Sequence, residues 1–218
     1  MSKLIDYPAA TRFDSGDILI KDGTNGTKKI TAKNAAIDLA GMVSAEQHRM
    51  IWGGRNLGTS VSAEQKAAIR NRTFDNLYIG DYWVINGITW RIWDICYFTH
   101  SGDNEFTKPH LVIVPDSALY SHVMNDTNTT EGGYVGSKMY KEGLEQAKTT
   151  IKAAFGDITG RQQFAAAMLN PSIVNLRYWY WLRDVVSSAG FAYVNGGGGA
   201  SFNHASDSDG VRPYFLIG

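Results

Sequence analysis

Residues 82–93 read YWVINGITWRIW: two runs of aromatic and β-branched residues around Asn86-Gly87. Asn-Gly supplies the consecutive positive φ angles of the tightest hairpin turn. The flanking runs are too rich in Trp, Ile and Val for a loop and too short for a helix. An antiparallel hairpin is therefore expected here, and it sets the style of the remaining sheet. His110–Val114 reads as a further strand closed by Pro115, followed by a polar loop over 123–133. Tyr178–Val186, Phe191–Val194 and Val211–Ile217 read as C-terminal strands, with a 16-residue loop, Asn195–Gly210, before the last. A loop of that length in a compact domain is usually functional or disordered.

Helical patterning sits in the middle of the chain. Over Ser137–Phe155, Tyr140, Leu144, Ala147, Ile151 and Ala154 recur at spacings of four and three, and Gly156 stands where a helix stops. Arg161–Leu169 reads as a second helix ended by Asn170-Pro171. The fold class expected is α+β, with helices segregated from an antiparallel sheet.

Residues 1–41 read as a separate small unit. Asp17–Lys21 and Lys28–Thr31 are strand-like around the Gly/Asn turn 22–27, and Ala32–Ala40 is a short helix stopped by Gly41. So small a unit lacks a core of its own and needs another chain or a larger assembly. Residues 42–73 read as a helical linker. They carry two copies of the tetrapeptide SAEQ, at Ser44 and Ser62, and each fits a capping box. The main domain is expected over 74–218.

Function classes are narrowed mostly by exclusion. Lys plus Arg and Asp plus Glu both number 21, so the net charge is zero. Nucleic acid is therefore a poor partner, because phosphate affinity needs clustered excess Lys and Arg. No apolar run approaches the ~20 residues of a membrane span, so no membrane insertion is expected. The first residues carry no signal-peptide pattern, which implies synthesis in the cytoplasm. The lone Cys96 excludes an internal disulfide framework and CxxC metal sites. No GxSxG, HExxH or phosphate-loop motif occurs. The histidines, at 48, 100, 110, 122 and 204, fit no metal template. Asp207-Ser-Asp209 reads first as a turn, with cation binding as the alternative. Cys96, in a strand-like run, reads as a buried thiol rather than a nucleophile. Trp83, Trp90, Trp93, Trp179 and Trp181 read as core rather than a stacking surface. No catalytic residue, metal or cofactor is assigned, and no enzymatic activity is expected.

The C-terminal 35 residues, Asp184–Gly218, contain no Lys, Glu, Gln, Met or Trp, whereas the preceding 183 contain 34 of them. Under independent placement that absence has a chance on the order of one in a thousand. Those five residue types share one property: no codon ending in a pyrimidine encodes them. A Gly/Ser/Asn-rich loop between buried strands is the other explanation. The same stretch carries only Asp184, Asp207, Asp209 and Arg212 as formal charges, and seven glycines.

Several segments then resemble a known family. The segments YWYWLRD at 178–184, GFAYV at 190–194, GVRP at 210–213 and YFLI at 214–217 resemble the C-terminal signature of C-type lectin-fold variable proteins of diversity-generating retroelements. The opening is similar too, through IGDY at 79–82, Asn86-Gly87, WRI at 90–92 and VIVP at 112–115. GGYVG at 132–136 with Met139-Tyr140 fits the phage-associated branch. The resemblance covers residues 74–218. Residues 22–27 resemble the attachment segment of phage structural proteins, less specifically.

The resemblance implies a C-type lectin-like domain behind an N-terminal attachment and oligomerisation segment. It also implies a variable region over about 187–210, diversified by adenine-directed reverse transcription in which AAC codons become NNC. The ligand-binding positions it implies are Gly190, Tyr193, Asn195, Gly196, Gly197, Gly199, Ser201, Phe202, Asn203, His204, Asp207 and Asp209. Ala205, Ser206, Gly210, Val211, Arg212 and Pro213 fall to the frame, with Phe191 and Val194 facing the core. The expected partners are a host cell-surface receptor, protein or glycan, and other virion proteins. A homotrimer on the virion surface, at a tail or head fibre of a phage or prophage, is the expected setting. The chain lacks the calcium-ligand triplets of sugar-binding lectins and the cysteine pair of formylglycine-generating relatives. The rival expectation is a purely structural virion, fibre or decoration protein with no ligand.

Overall fold

The computed structural model describes residues 18–21, 28–31, 48–100, 108–156, 159–164 and 178–218. The chain divides into two compact units, Met1–Val43 and Ser44–Gly218. In the first, β1 (Ile18–Lys21) and β2 (Lys28–Thr31) pair antiparallel, with Ile18 opposite Thr31 and Lys21 opposite Lys28. The expected turn at 22–27 and helix at 32–40 lie outside the described residues.

In the second unit, the segment expected as a linker is tied to the domain from His48 onward. Backbone N–H groups of Gly53 and Leu57 donate to the carbonyls of Ile79 (2.8 Å) and Tyr82 (2.7 Å), and Val84 donates to Gly58 (2.9 Å). Helix α1 (Ala63–Asn71) follows, with the expected capping box at Ser62 and Gln65 formed in both directions. Its counterpart at 44–47 lies outside the described residues. The expected hairpin is β3 (Tyr82–Ile85) and β4 (Ile88–Ile95), turning on Asn86 at φ 53° and Gly87 at φ 77°.

Strands β5 (Leu111–Pro115) and β6 (Tyr120–Val123) come next, then a short helix α2 (Gly133–Gly136), a π-helical turn over Met139–Gly143 and helix α3 (Leu144–Phe155). The π turn changes the phase of the expected apolar face. Met139 and Gly143 are buried in place of Tyr140, which is 40% exposed, while Leu144, Ala147, Ile151 and Phe155 keep the helical stripe. The Tyr120 hydroxyl sits in the junction between π turn and α-helix: it accepts from the Ala147 N–H (3.1 Å) and donates to the Gly143 carbonyl. Those two groups would otherwise bond to each other in a regular ladder.

Strand β7 (Thr159–Phe164) corrects the expected second helix over 161–169: residues 161–164 are extended, and 165–169 lie outside the described residues. Phe164, Gln163 and Gln162 pair with Pro213, Tyr214 and Phe215. Pairing with a strand whose other edge is already bonded overrides the weak helical preference of Arg-Gln-Gln. The remaining strands are β8 (Tyr180–Val185), β9 (Gly190–Val194), β10 (Ala200–His204), β11 (Ser208–Val211) and β12 (Pro213–Ile217). The expected 16-residue loop therefore contains two strands, β10 and most of β11.

Two five-stranded sheets result, ordered β3-β4-β5-β12-β7 and β10-β9-β8-β11-β6. Pairing is antiparallel except between β11 and β8. Trp83, Trp90, Ile92, Ile113 and Phe215 lie on one face of the first sheet, in a core with Ile69 of α1 and Ile151 and Phe155 of α3. Its other face packs Trp93, Val112, Val114 and Leu216 with Tyr180, Leu182 and Val194 of the second sheet. The far face of the second sheet packs Trp181, Phe191 and Val211 with Met124, Met139, Leu144 and Ala147. The mixed α+β class expected from sequence is observed.

Candidate functional site

The region implied for binding is built on β9, β10 and the turns around them. Asn195 organises the glycine turn. Its N–H donates to Gly199 C=O (2.9 Å), and its Oδ1 accepts from the N–H groups of Gly197 (2.9 Å) and Gly199 (3.1 Å). Gly198, at φ 82°, takes the left-handed conformation that turn requires. Among the described residues β10 then pairs with β9 alone, Ser201 opposite Tyr193 and His204 opposite Gly190. As an end strand it leaves Ala200, Ser201, Phe202 and His204 exposed, with Phe202 at 53%.

The twelve implied positions do not share one environment. Gly197, Gly199, Ser201, Phe202 and His204 are exposed; Tyr193, Asn195, Gly196, Asn203 and Asp207 are half-buried. Gly190 and Asp209 are buried. A Cβ on Gly190 would stand 2.8 Å from the Asn203 carbonyl oxygen and 3.2 Å from the Phe202 ring. Asp209 accepts from Asn203 Nδ2 (3.0 Å). Burial pushes its carboxyl above the usual range; the Asn203 hydrogen bond opposes that shift and the neighbouring Asp207 charge adds to it. Phe191, Val194, Ala205, Val211 and Arg212 are all at most 2% exposed.

The polar segment 123–133 holds this region from beneath. Asn125 N–H donates to Ala205 C=O (2.8 Å), Thr130 N–H to Ser188 C=O (3.1 Å), Thr130 Oγ1 to Ser187 C=O (2.7 Å), and Ser206 Oγ to Asn128 Oδ1 (2.6 Å). Composition marked this segment as a loop; nothing in it signalled a support separated from its partner by almost 80 residues. Arg212 crosses from one sheet to the other. Its Nε donates to Pro115 C=O (2.9 Å), its Nη1 to the Tyr180 hydroxyl (3.3 Å), and its guanidinium carbon lies 5.1 Å from the Tyr180 ring centroid.

One tryptophan assigned to the core by sequence lies elsewhere. Trp83, Trp90, Trp93 and Trp181 are buried, but Trp179 is 56% exposed and meets Tyr193 edge to face at 6.0 Å. Trp179 and Trp181 share a parity, but Trp179 precedes the first paired residue of β8. Strand alternation alone therefore overstated its burial.

Cys96 is 6% exposed and contributes to the core around Trp83 and Trp90. The nearby ring of His110 has both nitrogens engaged: Nε2 accepts from Phe98 N–H (3.2 Å), which makes Nδ1 the donor to Lys108 C=O (2.8 Å). Burial holds this imidazole below its usual pKa. The pair therefore has no free general base. Among the described residues, no three His, Cys, Asp or Glu side chains gather as metal ligands, and no helix is long and apolar enough to cross a membrane. Comparisons with protein-family models, with curated proteins and with solved structures give no match.

Proposed function

We propose that this chain is a non-enzymatic recognition protein displayed on a phage or prophage particle. Its Ser44–Gly218 unit would be a C-type lectin-like domain, diversified by a retroelement, that contacts a receptor on the host surface. The N-terminal unit would attach it to the particle as a trimer. One observation carries the reading. The stretch free of Lys, Glu, Gln, Met and Trp begins at Asp184, and its exposed residues lie on the end of β8, the β8–β9 turn, the end strand β10 with the turns around it, and the first residue of β11, beside a buried frame. Recognition residues belong on such projecting segments of a rigid scaffold. A composition of Gly, Ser, Asn and Tyr also suits adaptable contact with many ligands.

The recognition face in this reading comprises Tyr193, Asn195, Gly196, Gly197, Gly199, Ser201, Phe202, Asn203, His204 and Asp207. Gly190 and Asp209 serve it from below. Trimeric display would let weak single sites act together. Sequencing the 3′ end of many copies of the gene with its flanks is the test. Substitutions confined to positions derived from AAC codons, beside a template repeat and a reverse transcriptase gene, support the proposal. Scattered, mostly synonymous variation sinks it and favours the purely structural virion protein.

A further inference from the structure

We propose that Trp179, Tyr193 and Asp209 form a subsite for one cationic side chain, an arginine or lysine presented by a protein ligand; this rests on the recognition reading above. Gly210 of β11 pairs with Tyr180 of β8, so Asp209 and Trp179 lie on one face of the sheet, on neighbouring strands. Tyr193, opposite Trp181 on β9, shares that face. The Gly210 N–H donates to the Trp179 carbonyl at 3.1 Å, so the two segments are in direct contact.

The chemistry on this face is unbalanced. The Trp179 indole meets Tyr193 at a steep interplanar angle, and with the residue 56% exposed part of its ring surface is open to solvent. Beside it, Asp209 is buried with Asn203 Nδ2 donating to one carboxylate oxygen, and Asp207 is close enough to act on it electrostatically. Among the described residues no Lys or Arg forms an ion pair with Asp207 or Asp209. Arg212, the one cation in residues 184–218, is 2% exposed and engaged with Tyr180, whose side chain belongs to the opposite face.

A buried carboxylate lacking a cation, next to an exposed aromatic face, is completed by a cation that stacks on the ring and reaches the carboxylate. An acidic ligand would be repelled by Asp207 and Asp209. A neutral sugar would stack but leave the carboxylate uncompensated. Trp179 also lies outside the region of about 187–210 implied for diversification. It would be a constant anchor beside the changeable Tyr193.

The test uses the full chain and two capped tripeptides, acetyl-Ala-Arg-Ala-amide and acetyl-Ala-Glu-Ala-amide. The readout is the indole N–H signal of Trp179 in a nitrogen-edited NMR spectrum, assigned with Trp179→Phe. The Arg peptide is expected to move that signal saturably and more weakly as salt rises, while the Glu peptide does not. Trp52, equally exposed at 56%, is the internal control and should not respond. Asp209→Asn and Tyr193→Ala should each weaken the Arg peptide by about twofold to fivefold. If Asp209→Asn does not fold, Asp207→Asn takes its place with the same expected direction.

No saturable shift, an equal response to the Glu peptide, or undiminished binding by both the Tyr193 and the acidic variant overturns the proposal. Adsorption of particles to host cells separates it from the reading it rests on. Particles that need the chain but adsorb equally with Trp179→Ala overturn the subsite alone. A working subsite on a chain that adsorption does not require overturns the recognition reading alone.

Discussion

Removing residues 1–43 and removing residues 1–73 should give opposite results. The first deletion ends where the second compact unit begins and takes nothing from it. The second removes Arg55, Val61 and Ile69 as well. Asp81 has no exposed surface; it accepts from the Arg55 N–H (2.8 Å), Arg55 Nη2 (2.8 Å) and the Tyr78 N–H (3.1 Å). Without Arg55 only the Tyr78 N–H remains. Breaking a buried pair costs about 3–5 kcal/mol, and the half-exposed Arg55 guanidinium places this one at the lower end. Val61 and Ile69, 6% and 1% exposed, each add about 1.5–3 kcal/mol of lost burial. The total, about 6–9 kcal/mol, is of the order of the ~5–15 kcal/mol that holds a whole domain.

Residues 44–218 alone should therefore show a single urea transition by tryptophan fluorescence, with near-native far-UV dichroism. Residues 74–218 should show no cooperative transition. Arg55→Ala within residues 44–218 should fall between, about 3 kcal/mol less stable. A cooperative transition in residues 74–218 with a midpoint near that of 44–218 would refute the reasoning. Failure of residues 44–218 to fold would refute the division at Val43.

Three further perturbations probe separate layers. Tyr120→Phe removes the hydroxyl bridging Gly143 and Ala147 and should cost about 1–2 kcal/mol in urea. Burial pushes the Tyr120 phenol up to about 12, so wild-type stability should fall as pH rises from 10 through that value, and the decline should shrink in the variant. Gly190→Ser drives a Cβ against the Asn203 carbonyl and should destabilise by about 1–3 kcal/mol; a change within about 0.5 kcal/mol would free Gly190 to vary like a surface position. Asp209 titrates above the usual carboxylate range because burial favours its neutral form, so it contributes stability at low pH that is lost as pH rises past 3.8 through its folded value. Asp209→Asn should flatten that decline and equal or exceed the wild type at pH 7; a variant weaker at pH 7 with an unchanged pH slope would count against it.

Local chemistry explains which parts of this fold were legible. Asn86-Gly87 and Ser62-Ala-Glu-Gln65 each satisfy their own backbone within four residues, so both turn and cap were readable without knowing the rest. Strand β7 was not, because its partner β12 lies about fifty residues away and sets its conformation by pairing. Tyr140 was misplaced because a regular period cannot foresee the Tyr120 hydroxyl that interrupts the helix from another strand. In the candidate site, the residue types of 184–218 pointed to a region but not to orientation. Gly190 and Asp209 belong to the implied binding set yet are covered, by Phe202 and Asn203 and by the pairing of β11 with β8.

The order of strands explains how such a region could vary without cost to the fold. Among the described residues β10 has one strand neighbour, β9, so substitutions at Ser201, Phe202 or His204 meet that strand and an exposed surface. Changes at exposed positions of this kind usually stay within about 0.5 kcal/mol. The chain then enters β11, which lies between β8 and β6, and passes through buried Arg212 into β12, which lies between β5 and β7. The residues immediately after the candidate surface thus bind both sheets at interior positions. Variation at the exposed positions of β10 would be absorbed at an edge, while variation in β11 and β12 would strike the pairing of four strands at once. That asymmetry gives a structural reason for a diversified segment to stop near Asp209, independent of any codon pattern.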